Sequence, residues 1–165
     1  YYFSYPFLKV KGSVTFAGKT HTVTGNAWYD REWSASLLDK NQHGWDWFSL
    51  VDSQAGESEQ NGLMLFCIKG TGQRYDYCRG TRIAPNGEAT ELSKESIKLS
   101  VVETVTLDNR DYPSKWQVKL PNTPAIIIET ITKDSRNKLT IPYWEGRVNA
   151  TGGFNGKGYA ELTGY

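Results

Sequence analysis

The sequence is poorest in the residues that most often announce a site. Its 165 residues include two histidines, two cysteines and one methionine. His21 lies in the alternating stretch Thr20-His21-Thr22-Val23, and His43 precedes Trp45-Asp46-Trp47. They belong to different elements, and nothing points to a Ser-His-Asp triad. Cys67 and Cys78 lack CxxC spacing and make no zinc site by themselves, so no metal is implied. They lie on consecutive predicted strands, where a cross-strand disulfide and two half-buried thiols are both compatible with the pattern. No phosphate loop, dinucleotide fingerprint or nucleophile elbow occurs. The glycine-rich run 152–158 leads into a strand and lacks the helix N-terminus that binds phosphate, so no cofactor is expected. Net charge is only +1, with acids and bases interleaved, which argues against nucleic acid as a main partner. The longest apolar run, 63–68, is strand-sized, whereas a membrane helix needs about 20 residues. The chain opens on Tyr1-Tyr2-Phe3 without an initiator methionine and reads as a mature product or an excised piece.

Glycine, threonine, tyrosine and tryptophan are prominent instead, a composition of strands and turns. One domain of this length buries about two-thirds of its surface. Apolar alternation predicts strands at 7–16, 20–28, 45–51, 63–69, 75–83, 97–106, 113–120, 125–133, 142–150 and 159–165. The strand 63–69 is apolar on both faces and is expected to be buried on both. Turns are predicted at Ala17-Gly18-Lys19 and Pro85-Asn86-Gly87, a charged loop at 107–112 and a short helical turn within 34–41. About ten meandering antiparallel strands must hide their edges, and closure into a barrel does so while creating an interior. The expected fold is therefore an all-β, antiparallel, lipocalin-like barrel, with a β-sandwich as the alternative.

One stretch stands apart. Trp28-Tyr29-Asp30-Arg31-Glu32-Trp33 packs three aromatics, two carboxylates and a guanidinium into six consecutive residues. Along a strand, Trp28, Asp30 and Glu32 share one face and Tyr29, Arg31 and Trp33 the other. A polar cavity with aromatic walls uses both kinds of side chain, and so does an ion-pair cluster braced by rings. Further along, Trp45 and Trp47 share a face opposite Asp46. Tyr143, Glu145 and Arg147 share another, and Tyr159, Glu161, Thr163 and Tyr165 follow the same parity. A carboxyl group shielded among rings has a raised pKa and can deliver a proton to an alkene or carbonyl. Ring faces stabilise the developing cation. Asp30, Glu32 and Asp46 are the acid candidates. Trp28, Tyr29, Arg31, Trp33, Trp45, Trp47, Tyr143 and Glu145 are the candidate ligand-binding residues.

These segments carry a resemblance. Trp28 to Ser34, Gly44-Trp45-Asp46-Trp47-Phe48, Leu63-Met64-Leu65-Phe66, Tyr112-Pro113 with Trp116, Tyr143-Trp144-Glu145-Gly146 and Gly158 to Tyr165 resemble, in that order, the AttH and carotenoid 1,2-hydratase (hydroxyneurosporene synthase) family. The resemblance implies two tandem lipocalin-like halves, of which this chain matches the C-terminal one. Residues 1–6 would be the remnant of an inter-domain linker, 7–165 the domain, and an absent N-terminal half a partner. It also implies a periplasmic or secreted location and a link to a membrane exporter. The hydratase branch adds water to a terminal isoprenoid double bond by protonating it first. Arg31 stands where that branch carries a histidine. The reading is therefore a domain that binds a hydrophobic small molecule, lipid or isoprenoid, with an acid-catalysed hydratase or hydrolase as the alternative.

Overall fold

The computed structural model describes residues 1–33, 38–54, 56, 59–140 and 142–165, the side chain of residue 73 excepted. The chain divides into two compact units, Tyr1–Leu37 and Leu38–Tyr165.

The first unit is a long two-stranded ribbon, β1 (Tyr2–Phe16) and β2 (Lys19–Glu32). Its turn is Ala17-Gly18, both at positive φ (49° and 74°), the geometry whose twist matches two right-twisted strands. The ladder continues past the predicted limits of 7 and 28, because Tyr2 to Tyr5 pair with Glu32 to Tyr29. The register shifts between Tyr5 and Leu8, where Pro6 has no N–H to give the ladder.

The second unit is a curled antiparallel sheet, a half-barrel of lipocalin-like architecture. Its strands in chain order are β3 (Gly44–Asp52), β4 (Gly62–Lys69), β5 (Tyr75–Ile83), β6 (Ala89–Leu92), β7 (Lys98–Leu107), β8 (Arg110–Lys119), β9 (Ile126–Thr130), β10 (Arg136–Asn137), β11 (Tyr143–Gly152) and β12 (Gly156–Leu162). Hydrogen bonding runs β6-β5-β4-β3-β12-β11-β9-β8-β7, with the short β10 on β11. One continuous path, in place of two stacked sheets, sets the sandwich aside. β12 lies beside β3 in the middle of this path, so the C-terminal segment is brought back to the first strand of the unit, and β6 and β7 are the ends of the path. No helix among the described residues is long and apolar enough to cross a membrane.

Alternation decides what goes inside. Phe48 and Leu50 of β3, Leu63 and Leu65 of β4, Trp116 and Val118 of β8, Ile126 and Ile128 of β9 and Trp144 and Val148 of β11 are all buried. β3 and β8 are not neighbours in the sheet, so the edge-to-face pair Phe48–Trp116, 5.1 Å between centroids, spans the interior.

Four expectations need correction. The strand 63–69 is buried on one face only: Leu63, Leu65, Cys67 and Lys69 point inward, whereas Met64, Phe66 and Ile68 are half-exposed. Phe66 finds its packing on that outer face against Trp45, 6.2 Å away. The charged loop 107–112 is a tight hairpin, since Asp108 and Asn109 both take positive φ (49° and 62°) and β8 already begins at Arg110. The final strand stops at Leu162, so the shared face of Glu161, Thr163 and Tyr165 breaks down. Asp39 to Gln42 make a turn closed by Gln42 N–H to the Asp39 carbonyl at 2.9 Å, and the rest of the predicted helical turn, 34–37, lies outside the described residues. Cys67 and Cys78 face each other across β4 and β5 and are disulfide-bonded.

Candidate functional site

The most unusual feature of the second unit is a carboxylate in its apolar interior. Strand parity puts Asp46 on the inward side of β3 with Phe48 and Leu50, and it is 0 % exposed. A charge there is stable only if donors replace water. Oδ1 accepts the hydroxyl of Tyr165 at 2.6 Å. Oδ2 accepts the indole N–H of Trp116 at 2.8 Å and the hydroxyl of Tyr75. The Lys69 ammonium lies 4.0 Å from Oδ1 and is itself 1 % exposed. Lys69 donates to the Thr163 carbonyl at 2.6 Å and sits 3.0 Å from the centre of the Tyr165 ring.

Burial pushes the Asp46 carboxyl above its ordinary range, against the opposing pull of Lys69 and the three donors. Burial likewise lowers Lys69 to about 8, with Asp46 opposing. Both tyrosine hydroxyls are raised, by burial first and then by the neighbouring Asp46 charge, so they stay protonated and donate.

Two backbone irregularities assemble the cluster. The β4–β5 register shifts between Ile68 and Lys69, so that Lys69 pairs with Tyr75 while Ile68 pairs with Tyr77. Without that bulge, Tyr75 would share the outer parity of Tyr77. With it, Tyr75 turns to the interior. At the other end Gly164 takes φ of 77° and lies so close to His43 that a Cβ would fall 1.8 Å from its carbonyl oxygen. That turn brings Tyr165 in.

Outside the cluster, the rings of Tyr75 and Tyr165 wall a cavity of about 600 Å³. Buried Pro113 and exposed Val101 continue the apolar wall, and Thr104, Arg110 and Asp111, also exposed, add to the lining. A volume of this size suits a small organic ligand.

The sequence candidates separate into three groups. Asp46 alone lies in the interior cluster. Trp45, Trp47, Tyr143 and Glu145 lie on the outer face: Trp47, Glu161 and Glu145 form one row across β3, β12 and β11, and the Trp45 indole donates to Glu161 at 2.9 Å. The Tyr143 hydroxyl there is raised, by burial and then by Glu145. Trp28, Tyr29, Asp30, Arg31, Glu32 and Trp33 lie in the first unit, split between two faces as their alternation requires. Asp30 accepts from Tyr2 at 2.6 Å, from Trp28 at 2.9 Å and from Ser4. On the opposite face Phe3, Tyr5, Tyr29 and Trp33 form a ring cluster, with the Arg31 guanidinium 5.0 Å from the Trp33 ring.

Comparison with known proteins follows the same lines. The AttH-like family model matches residues 1–165. The chain belongs to the AttH-like family. It is similar to the crystal structure of a protein described as AttH from Nitrosomonas europaea, with 31 % identity and a TM-score of 0.85 over 100 % of this chain and 52 % of that one. Kievitone hydratase from Nectria haematococca shares the fold, with a TM-score of 0.74 and 19 % identity over 99 % of this chain and 52 % of that one. This AttH-like chain thus spans about half the length of both. No curated protein matches it.

Lys69 and Tyr75 stand in no motif read from the sequence, and Trp116 and Tyr165 stand in the family motifs without being named as site residues. Lys69 was the one within reach, a lysine on the inward parity of Leu63, Leu65 and Cys67. Tyr75 and Tyr165 depend on a bulge and a glycine turn that no alternation pattern reveals.

Proposed function

We propose that this AttH-like chain binds a hydrophobic small molecule, lipid or isoprenoid, in the cavity walled by Tyr75 and Tyr165. The observation that carries this reading is that both hydroxyls are committed to Asp46, so the cavity is offered ring faces, Pro113 and Val101. Asp46, Trp116 and Lys69 fix the two rings in advance, which lowers the ordering cost of binding. The Cys67–Cys78 disulfide supports a periplasmic or secreted location, since such bonds persist in oxidising compartments. Lipophilic ligands are expected to raise the melting temperature of the protein, and Val101→Trp, which fills the cavity, to abolish that shift. An unchanged shift in Val101→Trp would end this reading.

A second reading is acid catalysis of the hydratase kind, and the specific observation in its favour is the raised carboxyl of Asp46 in contact with cavity-wall tyrosines. Protonation of Asp46 would reverse its bond with Tyr165, the carboxyl O–H donating to the Tyr165 oxygen and the Tyr165 proton turning to a ligand alkene, so that Asp46 passes its proton on as Tyr165 gives up its own. The carboxylate left behind is held by Tyr75, Trp116 and Lys69, water adds to the cation, and the proton lost by that water returns. The kievitone hydratase likeness adds only a shared fold. Asp46→Asn keeps the volume and removes the acid, so this reading requires lost turnover with ligand binding retained. Asp30 and Glu32 take no part in this scheme, and Asp30→Asn with Glu32→Gln should leave turnover intact.

A further inference from the structure

Strand parity makes the ribbon of the first unit amphipathic from end to end. The odd residues of β2 share one face. Their partners on β1 are Phe3 and Tyr5 before the register shift and Leu8, Val10, Val14 and Phe16 after it. The bulge at Pro6-Phe7 switches β1 from odd to even positions, so its apolar side chains stay on one side along the whole ribbon. The other side is polar and carries Lys9, Lys11, Ser13 and Thr15. The apolar side is open to solvent: Leu8 is 41 %, Val10 42 %, Val14 52 % and Phe16 75 % exposed. A contiguous apolar surface of this kind marks an interaction site, and a two-stranded ribbon by itself is only marginally stable in water.

The same face carries two glycines. Val10 pairs with Gly25 and Gly12 with Val23, so two large and two small residues alternate as on a checkerboard. Neither glycine has positive φ, and no atom of the described residues lies within 4 Å of a Cβ added at either. The chain's own packing therefore does not call for glycine there, although glycine weakens a strand and often marks the close approach of another backbone. A two-fold axis across the ribbon, midway between these two pairs, brings a second copy face to face and sets each valine over a glycine of the other ribbon. The same rotation sets Val14 over Leu8, His21 over Ala27 and Lys19 over the Tyr29 ring, a cation–π arrangement. The surface is thus complementary to itself. At about 3.3 Å per residue the 15-residue strand β1 is about 50 Å long, and the ribbon is about 10 Å wide. Its face spans about 500 Å² in projection, and upright side chains bring its accessible surface near the roughly 800 Å² that each partner gives to a stable interface.

We infer that this face is the interface of a homodimer, two ribbons packed apolar side to apolar side with their Ala17-Gly18 turns pointing opposite ways. Such an interface uses the same patch on both copies and closes at two. Two copies of this chain also come to about the length that each solved relative holds in one polypeptide.

The test is sedimentation equilibrium of the 165-residue chain from the nanomolar to the high micromolar range, where the dimer has twice the 18.6 kDa of the monomer. Val14→Lys, which sets a charge against Leu8 of the second copy, should weaken the dimer about a hundredfold. Gly12→Val fills the notch that receives Val10. It adds apolar surface and strand propensity, so indiscriminate stickiness would grow, whereas the fitted dimer should weaken about tenfold. Ser13→Lys, on the polar side, should change nothing. Amide exchange at concentrations where wild type too is monomeric establishes that each variant forms the ribbon. A chain that stays monomeric throughout overturns the inference and leaves the face to a partner of another kind, such as the further half that the longer relatives carry. A dimer that Val14→Lys leaves intact, that Gly12→Val tightens, or that Ser13→Lys breaks as readily as Val14→Lys overturns the assignment of this face. So does open-ended association, which a two-fold interface forbids.

Discussion

Each unit holds an aspartate ringed by tyrosine hydroxyl and tryptophan N–H donors, and the two behave differently because of where the donors come from. Asp30 collects Tyr2, Ser4 and Trp28 from the two strands of one ribbon. Asp46 collects Tyr75, Trp116 and Tyr165 from β5, β8 and the segment after β12, three places far apart in sequence. The first arrangement leaves its carboxylate half-open to solvent, the second closes it off entirely. The same chemistry thus makes a local clamp in one unit and a desolvated, perturbed acid in the other. Donor identity does not decide the character of a carboxylate, whereas enclosure does.

The sharpest way to break this comparison is to remove each aspartate. Asp46→Ala leaves three buried donors and the Lys69 charge without their acceptor and should cost about 3–5 kcal/mol. Asp30→Ala should cost about 1 kcal/mol, because water replaces the lost acceptor. Urea denaturation of both variants checks the pair, and equal losses would refute the distinction. Reduction of Cys67–Cys78, or Cys67→Ser with Cys78→Ser, should cost about 2–4 kcal/mol and confine its effect to the second unit. Hydrogen exchange at β4 and β5 against β1 and β2 reads that confinement.

A smaller effect is expected from Gly164→Ala, which forces an L side chain to φ of 77° beside the His43 carbonyl. It should cost about 1–3 kcal/mol and displace Tyr165 from Asp46, seen as a changed near-ultraviolet tyrosine signal. A pH effect is also expected. Lys69 drops from 10.5 to about 8 in the fold, so between those values the unfolded chain holds a proton that the folded chain has lost. Stability conferred at this position is therefore lowest below pH 8 and rises towards pH 10.5. Lys69→Met should remove that rise, and the difference between the wild-type and variant stability–pH curves measures it. Asp46 works in the opposite sense at acid pH. Its raised folded value means that stability falls as pH climbs from about 4 through that value.

Much of this molecule is dictated by the sequence alone. Alternation in Trp45 to Leu50 separates Asp46 from the two tryptophans, and the same rule splits Trp28, Asp30 and Glu32 from Tyr29, Arg31 and Trp33, because a strand has a period of two wherever it runs. Ala17-Gly18 and Pro85-Asn86-Gly87 are turns for reasons local to their own residues. The all-β class follows from composition and from the absence of any helical period. What only the tertiary structure decided is which aspartate would be enclosed. Asp30 has the richer neighbourhood in sequence, yet Asp46 is the one enclosed. Its enclosure needs strand β12 beside β3, Trp116 reaching across the interior, a bulge to turn Tyr75 and a glycine to turn Tyr165. Those are events of pairing and packing between segments as much as 119 residues apart. Local periodicity carries no record of them, because burial of a charge is a property of everything that surrounds it.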